Sequence, residues 1–198
     1  TAIIILGIAV VLVFVASPKY GQFVVMGLLG MGFMGVFLAL ESYRLERIAI
    51  WRNPEDYEKG YQTLQGLYAI GSGGLFGRGL GESVQKLGFV PEAQNDMIFS
   101  IICEELGLFG AGIILLLFLI LIWRFYVTAS RAEDLFGALI ASGAMAHMMI
   151  HGILNISVGT NTIPNTGITL PFVSYGGTSV VFLLIEMGLV FSVSSLVK

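Results

Sequence analysis

One carboxylate, Asp96, stands in the string "VPEAQNDMIFSIICEELGLFG" where a polar stretch opened by Pro91 turns into an apolar run. Two chemistries fit that position. As a helix cap, Asn95 or Asp96 would accept from the orphan N–H groups of the first turn and complement the dipole. As a catalytic carboxylate at the water–membrane boundary, Asp96 would take a proton from a sugar hydroxyl. Upstream, "GSGGLFGRGLGES" (71–83) supplies six glycines that let the backbone turn sharply or approach a ligand closely. Arg78 and Lys86 stand by to pair with a phosphate there. The order strand, glycines, helix of a phosphate-binding fingerprint is missing, so a plain flexible loop is the competing reading.

Glu104 and Glu105 lie about two turns into the apolar run, and Glu186 lies in the middle of another. Acids at that depth are expected to face a bundle interior or wet cavity, or to pair with a buried base. Adjacent helical residues differ by roughly 100° in direction, so Glu104 and Glu105 are not expected to share a face. His147 and His151, spaced i, i+4, could offer two imidazoles to a metal. No third ligand accompanies them, which favours hydrogen bonds between helices. Cys103 stands alone in an apolar run and reads as a small buried apolar residue. In "NTIPNTGITLPFVSYGGTS", Pro164, Gly167 and Pro171 force a non-helical, partly re-entrant segment, which at membrane depth must be buried in protein or line a wet cavity. Ser174 and Tyr175 supply hydroxyls that either satisfy freed backbone groups or bind ligand, and Gly176-Gly177 allow close helix packing or leave room for a lipid chain.

The chain that must position these groups is 56% hydrophobic and 12% charged. With a mean hydropathy of +0.89 it cannot be a soluble domain and reads as an integral membrane protein. Five apolar runs, at 2–16, 21–40, 98–123, 135–158 and 171–197, are too continuous for barrel strands and predict an all-α polytopic bundle. Two spans occupy 1–40, a large loop with short helices occupies 41–97, and three spans occupy 98–198 with a connecting loop at 159–179. "YQTLQGLYAI" places Tyr61, Leu64, Leu67 and Tyr68 on one helical face, suited to the membrane surface or to packing on the spans. Lys19, Arg124, Arg131 and Lys198 fall on one side of the membrane, which the positive-inside rule makes cytoplasmic. The large loop then lies outside, its six bases outnumbered by eight acids. The ten basic residues form no stripe, so nucleic acid is not an expected partner. The chain opens on Thr1 with neither an initiator Met nor a signal peptide, and is expected to be a piece lacking its N-terminal part.

Read together, "YQTLQGLYAIGSGGLFGRGLGESVQKLGFVPEAQNDMIFSIICEELGL" and "NTIPNTGITLPFVSYGGTS" resemble the SEDS family, the polytopic glycosyltransferases of shape, elongation, division and sporulation. The second string is close to the family signature Pro-x-Thr-Gly-x-x-x-Pro-Phe-x-Ser-Tyr-Gly-Gly-(Ser/Thr)-Ser. The resemblance implies the C-terminal half of such a protein in a bacterial cytoplasmic membrane, with loop 41–97 extracellular. It implies polymerisation of lipid II, an undecaprenyl-pyrophosphate substrate, with inversion. The implied partners are a class B penicillin-binding protein and other membrane proteins of the divisome or elongation complex. The family's essential aspartate, within Pro-Glu-x-x-x-Asp-x-Ile-Phe, falls on Asp96. Gln94-Asn95 stand where members often have His-Thr, and Thr162 and Thr169 also depart from the usual pattern. The division and sporulation branch is favoured over the rod-shape branch.

On this reading Asp96 is the base, and Arg78, Lys86, Glu105, Ser174 and Tyr175 are the expected substrate-binding residues. A divalent cation, Mg²⁺ or Mn²⁺, could bridge a carboxylate and the pyrophosphate. Two rivals stand beside it. A transporter or flippase of lipid-linked precursors would depend on Glu104, Glu105 and Glu186 more than on Asp96, and a scaffold for a penicillin-binding protein would use Asp96 only as a cap.

Overall fold

The computed structural model describes residues 2–17, 21, 24–25, 27–30, 32, 35 and 42–196. Among these the regular elements are helical: α1 (Ala2–Ala16), α2 (Ser42–Arg52), α3 (Tyr61–Gly73), α4 (Ile98–Arg131), α5 (Leu135–Gly159) and α6 (Gly177–Leu196), with 3-10 turns at Pro54–Asp56, Glu58–Gly60 and Gln85–Leu87. Helices α4, α5 and α6 are long and apolar enough to cross a membrane, and α1 is a shorter helix of 15 apolar residues. The all-α, multi-pass reading holds. Lys19, Lys198 and most of the predicted span 21–40 lie outside the described residues.

Helix α5 is the centre of the bundle, packed by α1, α4 and α6. Its small residues explain the close approach: Ala141, Ala144 and Ala146 are buried, and a Cβ on Gly7 of α1 would lie 3.1 Å from Ile150 Cδ1. Asp134 starts α5 by accepting from the Gly137 N–H at 3.2 Å. A Schellman turn ends it, with Asn161 N–H on Val158 O at 2.9 Å, Thr162 N–H on Ser157 O at 2.8 Å, and Asn161 in the left-handed region at φ 53°. Phe125 of α4, Met148 of α5 and Leu183 of α6 join one core cluster, while Met97, Ile101 and Val158 form another beneath the loops.

The expected continuous span at 98–123 is instead a longer helix interrupted at Gly107, where φ is 67° and ψ −172°. The interruption is an exchange of backbone partners. In an unbroken helix the carbonyls of Glu104 and Glu105 would accept from Leu108 and Phe109. Here Arg78 N–H and Gly79 N–H donate to those carbonyls at 3.0 and 2.9 Å, while Leu108 N–H and Phe109 N–H donate to Gly74 O and Leu75 O at 2.9 and 3.0 Å. Four groups freed by the break are thus satisfied by the glycine-rich loop. Contact this close excludes side chains: a Cβ on Gly77 would lie 2.1 Å from Glu105 O, and one on Gly107 2.3 Å from Gly77 N.

Two further expectations are corrected. Of the two settings expected for the face of Tyr61 and Tyr68, packing on the spans is not the one found: helix α3 packs through Gly66, Ala69 and Gly73, whereas Tyr61 and Tyr68 are exposed, as the membrane-surface alternative has them. Its backbone comes so near α4 that a Cβ on Gly73 would sit 1.9 Å from Cys103 O, which bulky apolar residues on that face would prevent. The last span begins at Gly177, and 171–176 is non-helical because the segment is hydrogen-bonded to the loop before α4. Among the described residues nothing lies within 4 Å of a Cβ built on Gly177.

Gly107→Ala is expected to destabilise the protein by at least about 2 kcal/mol, from the positive φ and the clash with Gly77. Gly112→Ala in the same helix, where no described residue lies within 4 Å, should leave stability unchanged or raise it by about 0.5–1 kcal/mol. Thermal unfolding of both variants in the same detergent measures the difference.

Candidate functional site

Asp96 does not cap α4: the N-cap position is Met97 and makes no side-chain capping bond. Its carboxylate, on a residue only 9% exposed, instead lines a pocket of about 300 Å³ at one end of the bundle. Helix α2 contributes Arg47 and Trp51, the turn after it Lys59, α3 Thr63, and the loop after α5 Asn161 and Asn165. Gln62 Nε2 donates to Asp96 Oδ1 at 3.5 Å and to Pro91 O at 3.1 Å. Burial pushes the Asp96 carboxyl above its ordinary value, Glu92 adds repulsion, and hydrogen bonds from its own backbone, Asn165 and the Met97 backbone oppose the rise. A carboxylate so placed is a stronger base than one in open water.

The pocket wall is tied by its polar side chains. Arg47 Nη1 donates to Asn165 O at 3.0 Å, Trp51 Nε1 to Asn161 O at 2.9 Å, and Asn165 Nδ2 to Gln62 Oε1 at 3.2 Å. Lys59 meets Glu46 at 2.8 Å in an exposed pair. From below, Asn155 Nδ2 donates to Asp96 O at 2.8 Å and to Ile168 O at 2.7 Å. Ser174 Oγ accepts from Leu170 N–H at 2.7 Å and donates to Asn95 O at 2.5 Å, and Tyr175 N–H donates to Gln94 O at 2.8 Å. Ser174 is buried, so its hydroxyl holds two loops together, while the Tyr175 side chain is 73% exposed. Among the described residues, the non-glycine residues at positive φ are Glu92, Asn161 and Phe172, all in the segments that build this site. Such conformations persist where surrounding contacts enforce them, and they concentrate at functional sites.

Arg78 and Lys86 are not brought to Asp96. Glu104, fully buried, accepts from Ser83 Oγ at 2.5 Å, Val84 N–H at 3.2 Å and Gln85 N–H at 3.3 Å, with Arg78 Nη1 3.5 Å away. Glu105 accepts from Lys86 Nζ at 2.6 Å and Gly81 N–H at 2.9 Å. The two acids still point about 100° apart in the helical turn before Gly107, and both find partners because different parts of the loop 78–86 reach each of them. The amides of Arg78, Gly79 and Gly81 bond to α4 and so do not form a phosphate cradle. Lys86 also lines a second pocket with Glu92 and Gln94, of about 420 Å³, to which Asp96 does not contribute. Within the bundle His147 Nδ1 pairs with Glu186 Oε2 at 2.8 Å, a bond between helices. Cys103 is buried and unpaired by any disulfide.

The residues that sequence reading passed over are Arg47, Trp51, Lys59, Asn155, Asn161 and Asn165. Arg47 and Trp51 stand i, i+4 in "RIAIW", and polar His147, His151 and Asn155 recur every fourth residue in an apolar run, which were usable signals. Nothing local marks Lys59.

With this geometry in place, the chain can be compared with known proteins. The model of the FTSW_RODA_SPOVE family, described as cell cycle protein, matches residues 1–198. The chain belongs to this family. Within it, the chain is 45% identical over 197 residues to stage V sporulation protein E of Bacillus subtilis, covering 98% of this chain and 54% of that protein. It is 41% identical over 173 residues to a probable peptidoglycan glycosyltransferase FtsW of Halothiobacillus neapolitanus, covering 84% and 42% of the two chains. A solved chain described as "Structural coordination of polymerization and crosslinking by a peptidoglycan synthase complex" superposes with a TM-score of 0.76 at 28% identity, covering 96% of this chain and 53% of that one. The chain spans about half the length of these FtsW, SpoVE and synthase relatives. The relatives by name agree with the division and sporulation branch.

Ser174→Ala should cost about 1–3 kcal/mol, because Leu170 N–H and Asn95 O lose their shared partner in a buried place. Tyr175→Phe, which removes a hydroxyl from an exposed side chain, should change stability by less than about 0.5 kcal/mol. Parallel melting curves of the two variants check the assignment of Ser174 as a tie between loops.

Proposed function

We propose that this chain carries the catalytic base of a peptidoglycan glycosyltransferase that polymerises lipid II at the outer face of the bacterial cytoplasmic membrane. The observation that supports it most is Asp96: a buried carboxylate raised above its ordinary pKa, in a polar pocket that also holds two cations, at the end of a membrane bundle. Asp96 takes the proton from the 4-hydroxyl of the acceptor GlcNAc. That oxygen attacks the anomeric carbon of the donor MurNAc with inversion, and the bond from that carbon to oxygen breaks to release undecaprenyl pyrophosphate. Arg47 and Lys59, on the same pocket wall, meet the charge of the departing pyrophosphate. On this reading the anion contact falls to these two, and Arg78, Lys86 and Glu105 shape the loop behind the site.

Arg124 and Arg131, which lie toward the end of α4 remote from Asp96, support an orientation with that basic end cytoplasmic and loop 41–97 extracellular. The polyprenyl tail runs along the apolar outer faces of the helices, where Leu116, Leu119 and Phe182 are exposed. Likeness to a chain of a solved peptidoglycan synthase complex supports a class B penicillin-binding protein as partner. A divalent ion such as Mg²⁺ or Mn²⁺ fits only as one carried in with the pyrophosphate. Asp96 is the single carboxylate lining the pocket among the described residues, and Arg47 and Lys59 already supply positive charge, so no step is routed through it.

In the full-length polypeptide, with its partner's transpeptidase blocked, Asp96→Asn should lower glycan polymer formation from lipid II by at least about 100-fold. Polymer at the wild-type level would refute Asp96 as the base. Because burial raises its pKa, ionised Asp96 opposes folding. Its stabilising contribution is present below the unfolded pKa and lost as pH rises through the folded one, so Asp96→Asn should melt no earlier than wild type at neutral pH. Wild-type turnover should fall as pH drops through a midpoint above the 3.8 of a free aspartate. Arg47→Gln or Lys59→Gln should lower kcat/KM for lipid II by about tenfold, with the loss falling on kcat at least as much as on KM, read from the same polymer assay.

A further inference from the structure

Helix α5 carries a polar stripe through an otherwise apolar core. His147, His151, Asn155 and Gly159 follow one another at every fourth residue and so lie along one face. Each reaches a different element. His147 pairs with Glu186 of α6, the His151 ring lies by the backbone of Thr169 in the loop before α6, and the carbonyl of Gly159 accepts from Ser100 Oγ of α4 at 3.5 Å. Asn155 is the member that reaches both halves of the pocket. It is fully buried, and its one amide nitrogen uses both hydrogens, on Asp96 O at 2.8 Å and on Ile168 O at 2.7 Å.

We infer that Asn155 is a positioning residue for Asp96, a tether inside the bundle that fixes the loop before α4 against the loop before α6. The inference rests on Asp96 being the base. Two carbonyls repel when they converge on one point, so the loops meet there only while a double donor stands between them. The other ties, Ser174 Oγ to Asn95 O and Tyr175 N–H to Gln94 O, lie on the preceding residues and leave the backbone at Asp96 itself to Asn155. A carboxylate carried on a loop swings when its backbone does, and a displacement of about 1 Å lowers turnover by about 100-fold. Asn155 has no side-chain atom on the pocket wall, so its loss affects the placement of the base more than substrate affinity.

Asn155→Asp keeps shape and volume and converts the double donor into an acceptor facing two carbonyls. In the full-length polypeptide, kcat for lipid II polymerisation should fall by about tenfold or more with KM within about twofold. The Tyr175 amide, bonded to Gln94 O, should exchange with deuterium about tenfold faster. Ser100→Ala removes a neighbouring bond between α4 and α5 without touching either carbonyl, and should leave kcat and Tyr175 exchange within about twofold of wild type. Asn155→Leu, uncharged and of similar volume, gives the same two readouts where the aspartate variant does not fold. Unchanged Tyr175 exchange in the Asn155 variants overturns the tether, as does an equal loss of kcat in Ser100→Ala. Faster exchange with undiminished turnover overturns the positioning role, and Asp96→Asn assayed alongside separates the cases: an inactive Asp96→Asn leaves the base in place, whereas an active one removes the reading beneath the inference as well.

Discussion

The structure depends on one opened ladder in α4. A helix broken at Gly107 in apolar surroundings leaves two carbonyls and two N–H groups without partners, each costing about 1–3 kcal/mol if buried unpaired. The loop from Gly74 to Gly79 supplies all four partners from its own backbone, so break and loop stabilise each other. The contact distance requires glycine at 73, 77 and 107. The same docking brings Ser83, Arg78, Lys86 and Gly81 within reach of Glu104 and Glu105. Helix α3 leads straight into this loop, and the same constraint seats Gln62 and Thr63 beside Asp96.

A second constraint acts from the bundle upward. The loop before α6 carries no regular structure, yet its backbone is held by Ser174, Tyr175 N–H and Asn155 to residues 94–96. Positive φ at Glu92 and Phe172 is held on either side of that junction. The result is a carboxylate taken out of water by protein contacts that are polar enough to keep it placed.

The acids that a translocation pathway would use are already engaged. Glu104 and Glu105 are bound by the glycine-rich loop and Glu186 by His147 across two helices. The Asp96 pocket, by contrast, gathers a carboxylate with Arg47, Lys59, Asn161 and Asn165 at one end of the bundle, where the proposed reaction would meet its substrate's head group. A site of that composition suits transfer chemistry on an anionic donor better than passage of an ion through the bilayer.

The residues alone determined the all-α membrane class, the α1 boundaries, the non-helical stretch before the last span, the family, and Asp96 as the residue to watch. These are local properties: apolar run length, proline and glycine placement, and a short signature. Tertiary structure alone decided that Arg78 and Lys86 serve Glu104 and Glu105, that Arg47 and Lys59 come to Asp96, and that Asn155 joins two loops. The packed face of α3 belongs with these, since small residues there signal nothing until the partner backbone is known. The physical reason is common to all of them: a charge or donor finds its partner across more than a dozen residues of sequence, and only the packed backbone says which carbonyl or carboxylate stands within reach.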